Sequence, residues 1–412
     1  MVAYYFPPIG GIGSIRLAEF ARHLPEFGWE PLVLAPARTP HALDDTLSFA
    51  PSRVVRSRSI EPSRIARKVG GGATGSSADD GRRRIPQAIR SFGRRVPYYP
   101  DAQIGWYPGA LVAGRRALRH RGVDAVYSSS FPITAHLVAR ALKRRAGAPW
   151  VAEFRDPWSV ALPRRPHRAR AERLEKRLSR EADKLIMPTP TWANHFGALW
   201  NADVAVVPNG YDERIPATAN PAENVMTHLG TYYPGRQSLA ALWRHVGDQL
   251  RQPGAPPPRI RFVGELSASG RAELEAAGVA HLVEETGTVP HREAVRLAAD
   301  STMLFGAGSV GTDPVARGWV PAKLFEYLAT EQPILYLGDP NGDAGLMLRR
   351  LAGCHVVRPS DEQGIRRALQ VCMRGGRHPR AVEDLTRRAG AARLAAILDE
   401  VHSLPGSSSR RL

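Results

Sequence analysis

Apolar positions along this chain fall in short runs, and the runs alternate between strand-like and helix-like spacing. Residues 2–6 form a β-type run that stops at Pro7-Pro8-Ile9-Gly10-Gly11-Ile12-Gly13, which cannot be regular structure. Ser14 is the expected N-cap of the next helix, with Leu17, Phe20, Ala21 and Leu24 at helical spacing and Gly28 at its end. Residues 31–35 read as the following strand. The first strand starts directly at Met1, and a few residues of it are expected to precede.

The alternation continues to the end of the chain. Residues 124–128 and 150–154 read as strands, 133–145 as a helix and 168–182 as a strongly charged helix. Residues 184–187 and 204–207 are short apolar runs before proline. Beyond them, 225–229, 260–263, 281–283 and 302–305 read as strands, and 320–329, 334–337 and 343–351 carry the theme on. Such a pattern predicts an α/β protein with parallel sheets. It holds too many strands for one sheet, so two Rossmann-like domains are expected, 1–207 and 208–403, with a seam near Pro208-Asn209-Gly210. A TIM barrel is the rival, but a glycine loop after the first strand favours an open sheet. Residues 57–96 lack apolar periodicity and read as a basic insertion; residues 404–412 read as a disordered tail.

Composition narrows the class. With 412 residues, 43% hydrophobic and 23% charged, the chain can bury large cores without a disulfide or metal staple. Two cysteines, Cys354 and Cys372, exclude a disulfide scaffold. No apolar run is long enough to span a bilayer and no signal peptide is recognisable, so the expected compartment is the cytoplasm. Charge changes the picture more. The net charge is +18, and residues 1–200 carry 33 basic against 16 acidic side chains, whereas residues 201–412 are nearly balanced. The first half therefore expects an anionic partner: phosphate, nucleic acid or a membrane surface.

Candidate chemistry lies at strand ends. The Gly10–Gly13 loop can bring backbone N–H groups to an anion, with Arg16 in the first helical turn, or it is simply a tight turn. It is not the dinucleotide fingerprint, and no acid ends the second strand. Arg155 and Asp156, within Glu153-Phe154-Arg155-Asp156-Pro157-Trp158, lie where open sheets bind ligands, though a structural loop clamp fits too. His136 follows a polar loop and reads as a base or hydroxyl partner, or as a satisfied core histidine. Lys323 and Glu326 share a helix face at i, i+3, which suits a phosphate and a ribose diol, or a plain surface salt bridge. No metal constellation, serine-hydrolase elbow or P-loop is present in the sequence.

Six strings in order, YYFPPIGGIGSIRLAEFARHLPEFGWEPLVLAP, PDAQIGWYPGA, EFRDPWS, VPNGYD, HLGTYYPGR and VPAKLFEYLATEQPILYLG, span nearly the whole chain. Together they resemble the retaining glycosyltransferases of family 4, which have the GT-B fold. The resemblance implies two Rossmann-like domains facing across a cleft, the first binding acceptor and the second a nucleotide-diphosphate-sugar. It implies that Glu326 holds the donor ribose, that Lys323 and Arg236 face its diphosphate, and that Leu324, Gly11 and Gly13 line the donor. It implies that His136 and Asp156 touch acceptor or transferred sugar, with Arg16, Arg155 and Trp158 on the acceptor side. Catalytic roles are thus expected for His136, Asp156, Arg236 and Lys323.

The chain departs from many relatives twice. Gly318 stands where a first glutamate precedes the second by eight positions, and Ala241 stands where a lysine often follows the arginine of the second-domain loop. Without a D-x-D motif, and by the resemblance, no metal or cofactor is expected: cations on side chains would stabilise the leaving group. The expected function is transfer of a hexose, with retention, to a glycan or lipid-linked acceptor in surface polysaccharide or glycolipid synthesis. The basic first half would suit an anionic membrane surface on the cytoplasmic side. Few aromatics and no reading motif argue against nucleic acid. The alternatives are a degenerate GT-B protein that binds nucleotide-sugar or glycan as an accessory, motivated by Gly318, and a nucleotide-sugar epimerase, which no motif favours.

Overall fold

The computed structural model describes residues 1–403 except 38–42, 45–46, 48, 61–98, 162–164, 216–221, 233, 235–236, 238, 251–256 and 310. Most of the expected basic insertion, the expected tail and Arg236 therefore lie outside the described residues. The chain divides into two compact units, each described here by itself. Unit 1 comprises Met1–Met187, Leu199–Ala205 and Ala392–Leu412; unit 2 comprises Pro188–Ala198 and Val206–Ala391.

In unit 1, β3 (Val126–Ser130), β4 (Trp150–Phe154), β5 (Lys184–Met187) and β6 (Val204–Val206) form a sheet in that order, and β1 (Val33–Pro36) pairs in parallel with β2 (Val54–Ser57). Val2 joins the two, bridging in parallel to Leu34 on one side and Ser128 on the other. The first strand is thus shorter than the 2–6 expected. Ala3 donates to the Leu34 carbonyl, and then the chain bends away towards Pro7-Pro8, which cannot serve a central ladder. Counting Val2 as the first strand, the order is 3-2-1-4-5-6-7, with the reversal between Val2 and β3.

α1 (Ile12–His23) follows that strand, and α2 (Tyr107–His120), α3 (Thr134–Ala146) and α4 (Arg165–Glu181) pack in succession. Every residue of β3 and β4 is buried, as expected of parallel strands covered on both faces. The Asp101 carboxylate caps α3 from a distance, accepting from Thr134 N at 2.9 Å and Oγ1 at 2.7 Å.

In unit 2 the sheet is six-stranded and parallel: β12-β11-β10-β7-β8-β9. The strands are β7 (Val225–Leu229), β8 (Arg259–Val263), β9 (Val283–Glu285), β10 (Met303–Ala307), β11 (Ile334–Leu337) and β12 (Cys354–Val357). This is the doubly wound order, with its switch point between β7 and β10. The helices that matter below are α5 (Pro190–Trp200), α6 (Ala240–Leu250), α7 (Ala268–Ala276), α8 (His291–Ala299), α9 (Pro314–Arg317) and α10 (Lys323–Leu328). They are followed by α11 (Asp343–Leu348), α12 (Glu362–Met373) and α13 (Arg387–His402). Two apolar clusters sandwich the sheet, one around Trp243, Phe262 and Phe305, the other around Leu304, Leu324 and Tyr327.

The first turns of α5 are bound into unit 2. Asp343 accepts from Thr191 N at 2.9 Å and Oγ1 at 2.7 Å, repeating the Asp101–Thr134 device. Thr189 Oγ1 donates to the Gly318 carbonyl at 2.9 Å and Trp192 Nε1 to that of Val315 at 2.9 Å. The strand expected at 281–283 begins instead at Val283, because residues 280–282 close a 3-10 turn. β2 and β12 were not legible in the sequence; both are four-residue strands whose residues are mostly half-buried.

Candidate functional site

In unit 1 the polar residues gather where the Val2 strand and β3 diverge. Gly11, not Ser14, is the N-cap of α1, at φ 97 and ψ 158, a conformation closed to residues with a Cβ. A Cβ on Gly13 would overlap the Arg155 guanidinium. Arg155 is half-buried and ties strand ends together, donating through Nε to Ser130 O at 2.7 Å and through Nη2 to Phe131 O at 3.0 Å. It makes no ion pair among the described residues, so the Arg155–Asp156 clamp is not what the loop uses. Asp156 itself is exposed.

Arg16 has a different place from the one expected. It is buried, and its Nη2 and Nε reach Glu153 Oε1 at 2.6 and 3.1 Å, with its Cζ 4.6 Å from the Phe20 ring centre. The other oxygen of Glu153 accepts from Tyr127 OH and Ser129 Oγ, each at 2.6 Å. Burial alone would raise the Glu153 carboxyl; Arg16, Arg155 and Ser129 together hold it below its ordinary value. Burial and then the Glu153 charge push the Tyr127 phenol well up. This is a closed interior network, and Arg16 offers no surface to an acceptor.

His136 is also interior. It has no exposed surface, packs 4.5 Å from Phe154 and meets Ser128 Oγ through Nδ1 at 2.8 Å. Burial lowers it to about 3, so it is neutral, and its Nε2 has no partner among the described residues. Trp158 is buried against Tyr99. Of the candidates in unit 1, the structure brings the donor-side Gly11 and Gly13 and the acceptor-side Arg155 together at the strand ends; it puts Arg16, His136 and Trp158 inside.

In unit 2 the PAKLFEY string accounts for a second cluster. Lys323 and Glu326 do not pair with each other. Lys323 Nζ lies 2.6 Å from His228 Nε2, at the end of β7, and makes no ion pair among the described residues. A Cβ on Gly230 would stand 3.9 Å from that ammonium, so Lys323 faces nearly bare backbone at the switch point. Burial lowers Lys323 to about 7. Burial and then the Lys323 charge drive His228 well below the usual imidazole value, opposed by the carbonyls of Phe305 and Thr231. Tyr327 OH donates to Phe305 O at 2.9 Å and accepts from Leu229 N at 3.0 Å, tying β7 to β10.

Glu326 is buried, at 6% exposure, with one oxygen 2.6 Å from Arg387 Nη2 and the other 3.5 Å from His291 Nε2. Arg387, the first residue of α13, also pairs with Asp212. Leu324 points into the apolar cluster and offers nothing outside it. At Gly318 a Cβ would overlap the Trp192 ring, so this position has no room for a glutamate side chain.

Comparison with known proteins now adds to the geometry. Residues 10–210 match a family described as a glycosyl transferase 4-like domain. The solved sucrose-phosphate synthase of Thermosynechococcus elongatus superposes with a TM-score of 0.59 at 12% identity, covering 97% of this chain and 95% of its own. Anabaena HepE, solved with UDP and glucose, gives 0.55 at 13% identity over 97% and 96%. The lipopolysaccharide outer core galactosyltransferase WaaB gives 0.51 at 12% over 97% of both chains. The chain has the GT-B fold, built of two Rossmann-like domains. A search of the curated proteins finds no match.

Several residues of the two clusters escaped sequence reasoning. His228 and Asp212 stand inside strings that carry the family resemblance, yet nothing local marks them as partners of Lys323 and Arg387. Arg387 sits in a basic pair, Arg387-Arg388, with no signal beyond its charge. Trp192 has helical spacing and reads only as core.

Proposed function

We propose that this protein is a glycosyltransferase that moves a hexose, with retention, from a nucleotide-diphosphate-sugar to a glycan or lipid-linked acceptor in surface polysaccharide or glycolipid synthesis. One observation carries the reading: a half-buried ammonium, Lys323, without a carboxylate partner among the described residues, at the switch point of a doubly wound sheet. A buried charge without a counter-charge is costly unless a ligand supplies one. A diphosphate does, and its charge grows as the sugar departs. Glu326, held on one oxygen by Arg387, is the acceptor for a ribose diol. Arg236 is the second cation of the reading. That HepE is solved with UDP and with UDP-glucose, and that WaaB is a galactosyltransferase, supports the same donor class.

In this reading Gly11 and Gly13 line the donor, and the acceptor belongs to Arg155 and Asp156. No step is assigned to a metal or cofactor, since side-chain cations supply the positive charge. Peripheral attachment to an anionic membrane on the cytoplasmic side is part of the proposal. The exposed face of α4 carries Arg168, Arg170, Arg173, Lys176, Arg177 and Arg180, and each base near such a surface contributes about 1 kcal/mol. Among the described residues no helix is long and apolar enough to cross a membrane. Deleting residues 70–84 is expected to reduce sedimentation with anionic vesicles while UDP binding is kept; equal sedimentation would remove the membrane part.

A second reading, an accessory that binds nucleotide-sugar without turning it over, is favoured by Trp192 filling the place beside Gly318. The experiment is a thermal-shift screen against nucleoside diphosphates and their sugars in EDTA, followed by transfer assays. A ligand bound only by the folded chain raises the melting temperature. Selective stabilisation with transfer supports the enzyme, stabilisation without hydrolysis or transfer supports the accessory, and no stabilisation by any nucleotide sinks the donor site.

A further inference from the structure

We propose that His228 is a positioning residue for Lys323: a neutral imidazole that aims the ammonium at the donor diphosphate without cancelling its charge. The inference rests on the donor-site reading above and deepens it.

The Phe305 contact selects the tautomer. His228 Nδ1 lies 3.2 Å from Phe305 O, and a carbonyl only accepts, so the ring proton is on Nδ1. Nε2 then presents its lone pair, 2.6 Å from Lys323 Nζ, and an ammonium only donates. The ring cannot turn away. It has no exposed surface and packs at 5.3 Å from Phe305, 5.5 Å from Phe262 and 6.1 Å from Tyr232. Its anchor is fixed in turn, because Phe305 O also accepts from Tyr327 OH, one turn along the helix that bears Lys323.

The choice of holder matters electrostatically. A carboxylate at the same place would direct the lysine equally well, but it would neutralise the site and repel a diphosphate. An uncharged acceptor uses one of three ammonium hydrogens and leaves two, with the full positive charge, for the ligand. Burial keeps the imidazole in its uncharged form. His228 does not itself need to touch the substrate.

The test is calorimetric titration of UDP and GDP into the full chain and its variants. His228→Phe keeps a ring and removes the acceptor; His228→Gln restores an acceptor oxygen. His228→Phe removes a hydrogen bond to a charged group and is expected to weaken nucleotide binding at least about tenfold. His228→Gln should recover most of it. In a Lys323→Ala background, His228→Phe should cost nothing further, since it acts through Lys323.

Wild-type affinity in a folded His228→Phe chain, or an equal loss with and without Lys323, would overturn the inference and leave the donor site standing. An unmodified chain that binds neither nucleotide would overturn the donor site and this inference with it. Should His228→Phe not fold, the ¹⁵N resonances of His228 in the unmodified chain decide. Protonated Nδ1 with bare Nε2 at pH 7 supports the inference, and a proton on Nε2 overturns it.

Discussion

The two units share a strand order but treat their polar clusters in opposite ways. In unit 1, Glu153 is buried and complete: Arg16 takes one oxygen, and Tyr127 and Ser129 take the other. In unit 2, among the described residues, Lys323 has one neutral partner, and Glu326 has a cation close on one oxygen and an imidazole 3.5 Å from the other. The first arrangement satisfies its charges internally and fixes the sheet. The second leaves charge to be matched from outside. The two clusters thus differ in how fully their hydrogen bonds are satisfied among the described residues.

The sharpest way to break that division is Glu153→Ala. It removes the buried carboxylate that Arg16, Tyr127 and Ser129 share, and a loss of about 3–5 kcal/mol is expected in denaturant unfolding followed by tryptophan fluorescence. A loss under about 1 kcal/mol would mean the unit 1 network is not structural. Gly318→Glu comes next. Its side chain must displace Trp192, so about 1–3 kcal/mol of stability should go, with no gain in donor affinity by calorimetry.

Lys323→Ala should do the reverse, lowering UDP affinity by tenfold or more, about 1.4 kcal/mol, while stability is kept or raised. The pH sharpens the same point. Lys323 falls from 10.5 to about 7 on folding, so between these values the folded chain binds fewer protons and its stability rises with pH. An anion favours the ammonium, so nucleotide affinity should fall as pH rises above about 7. Titrations from pH 6 to 9 check this, and a flat profile that Lys323→Ala does not alter would remove Lys323 from the site. The smallest effect is expected at the Arg168–Glu172 pair on α4, both half exposed. Arg168→Ala should change stability by under about 0.5 kcal/mol.

Much of the fold was legible because parallel strands buried on both faces are written as continuous apolar runs. β4, β5, β7 and β11 appear where those runs stand. The Val2 strand was overread, since Tyr4 and Phe6 are apolar for burial in the core rather than for pairing. β2 and β12 were missed because short, half-buried strands lack a strong run. At the site, Lys323 and Glu326 were legible as a pair on one helix face. Their true partners were not, because His228 and Arg387 lie 95 and 61 residues away. His136 and Arg16 looked like surface chemistry at helix starts and are interior instead.

By itself the sequence determined the alternation that makes two parallel sheets, the glycines that carry the chain around their strand ends, and which charged residues fall there. These are local properties, set by spacing and backbone freedom. Only the tertiary structure decided which of those charges are satisfied. Pairing depends on side chains that different strands and helices bring within about 3 Å, and no local pattern records that approach. That is why Glu153 became part of the frame and Lys323 was left without a carboxylate partner among the described residues.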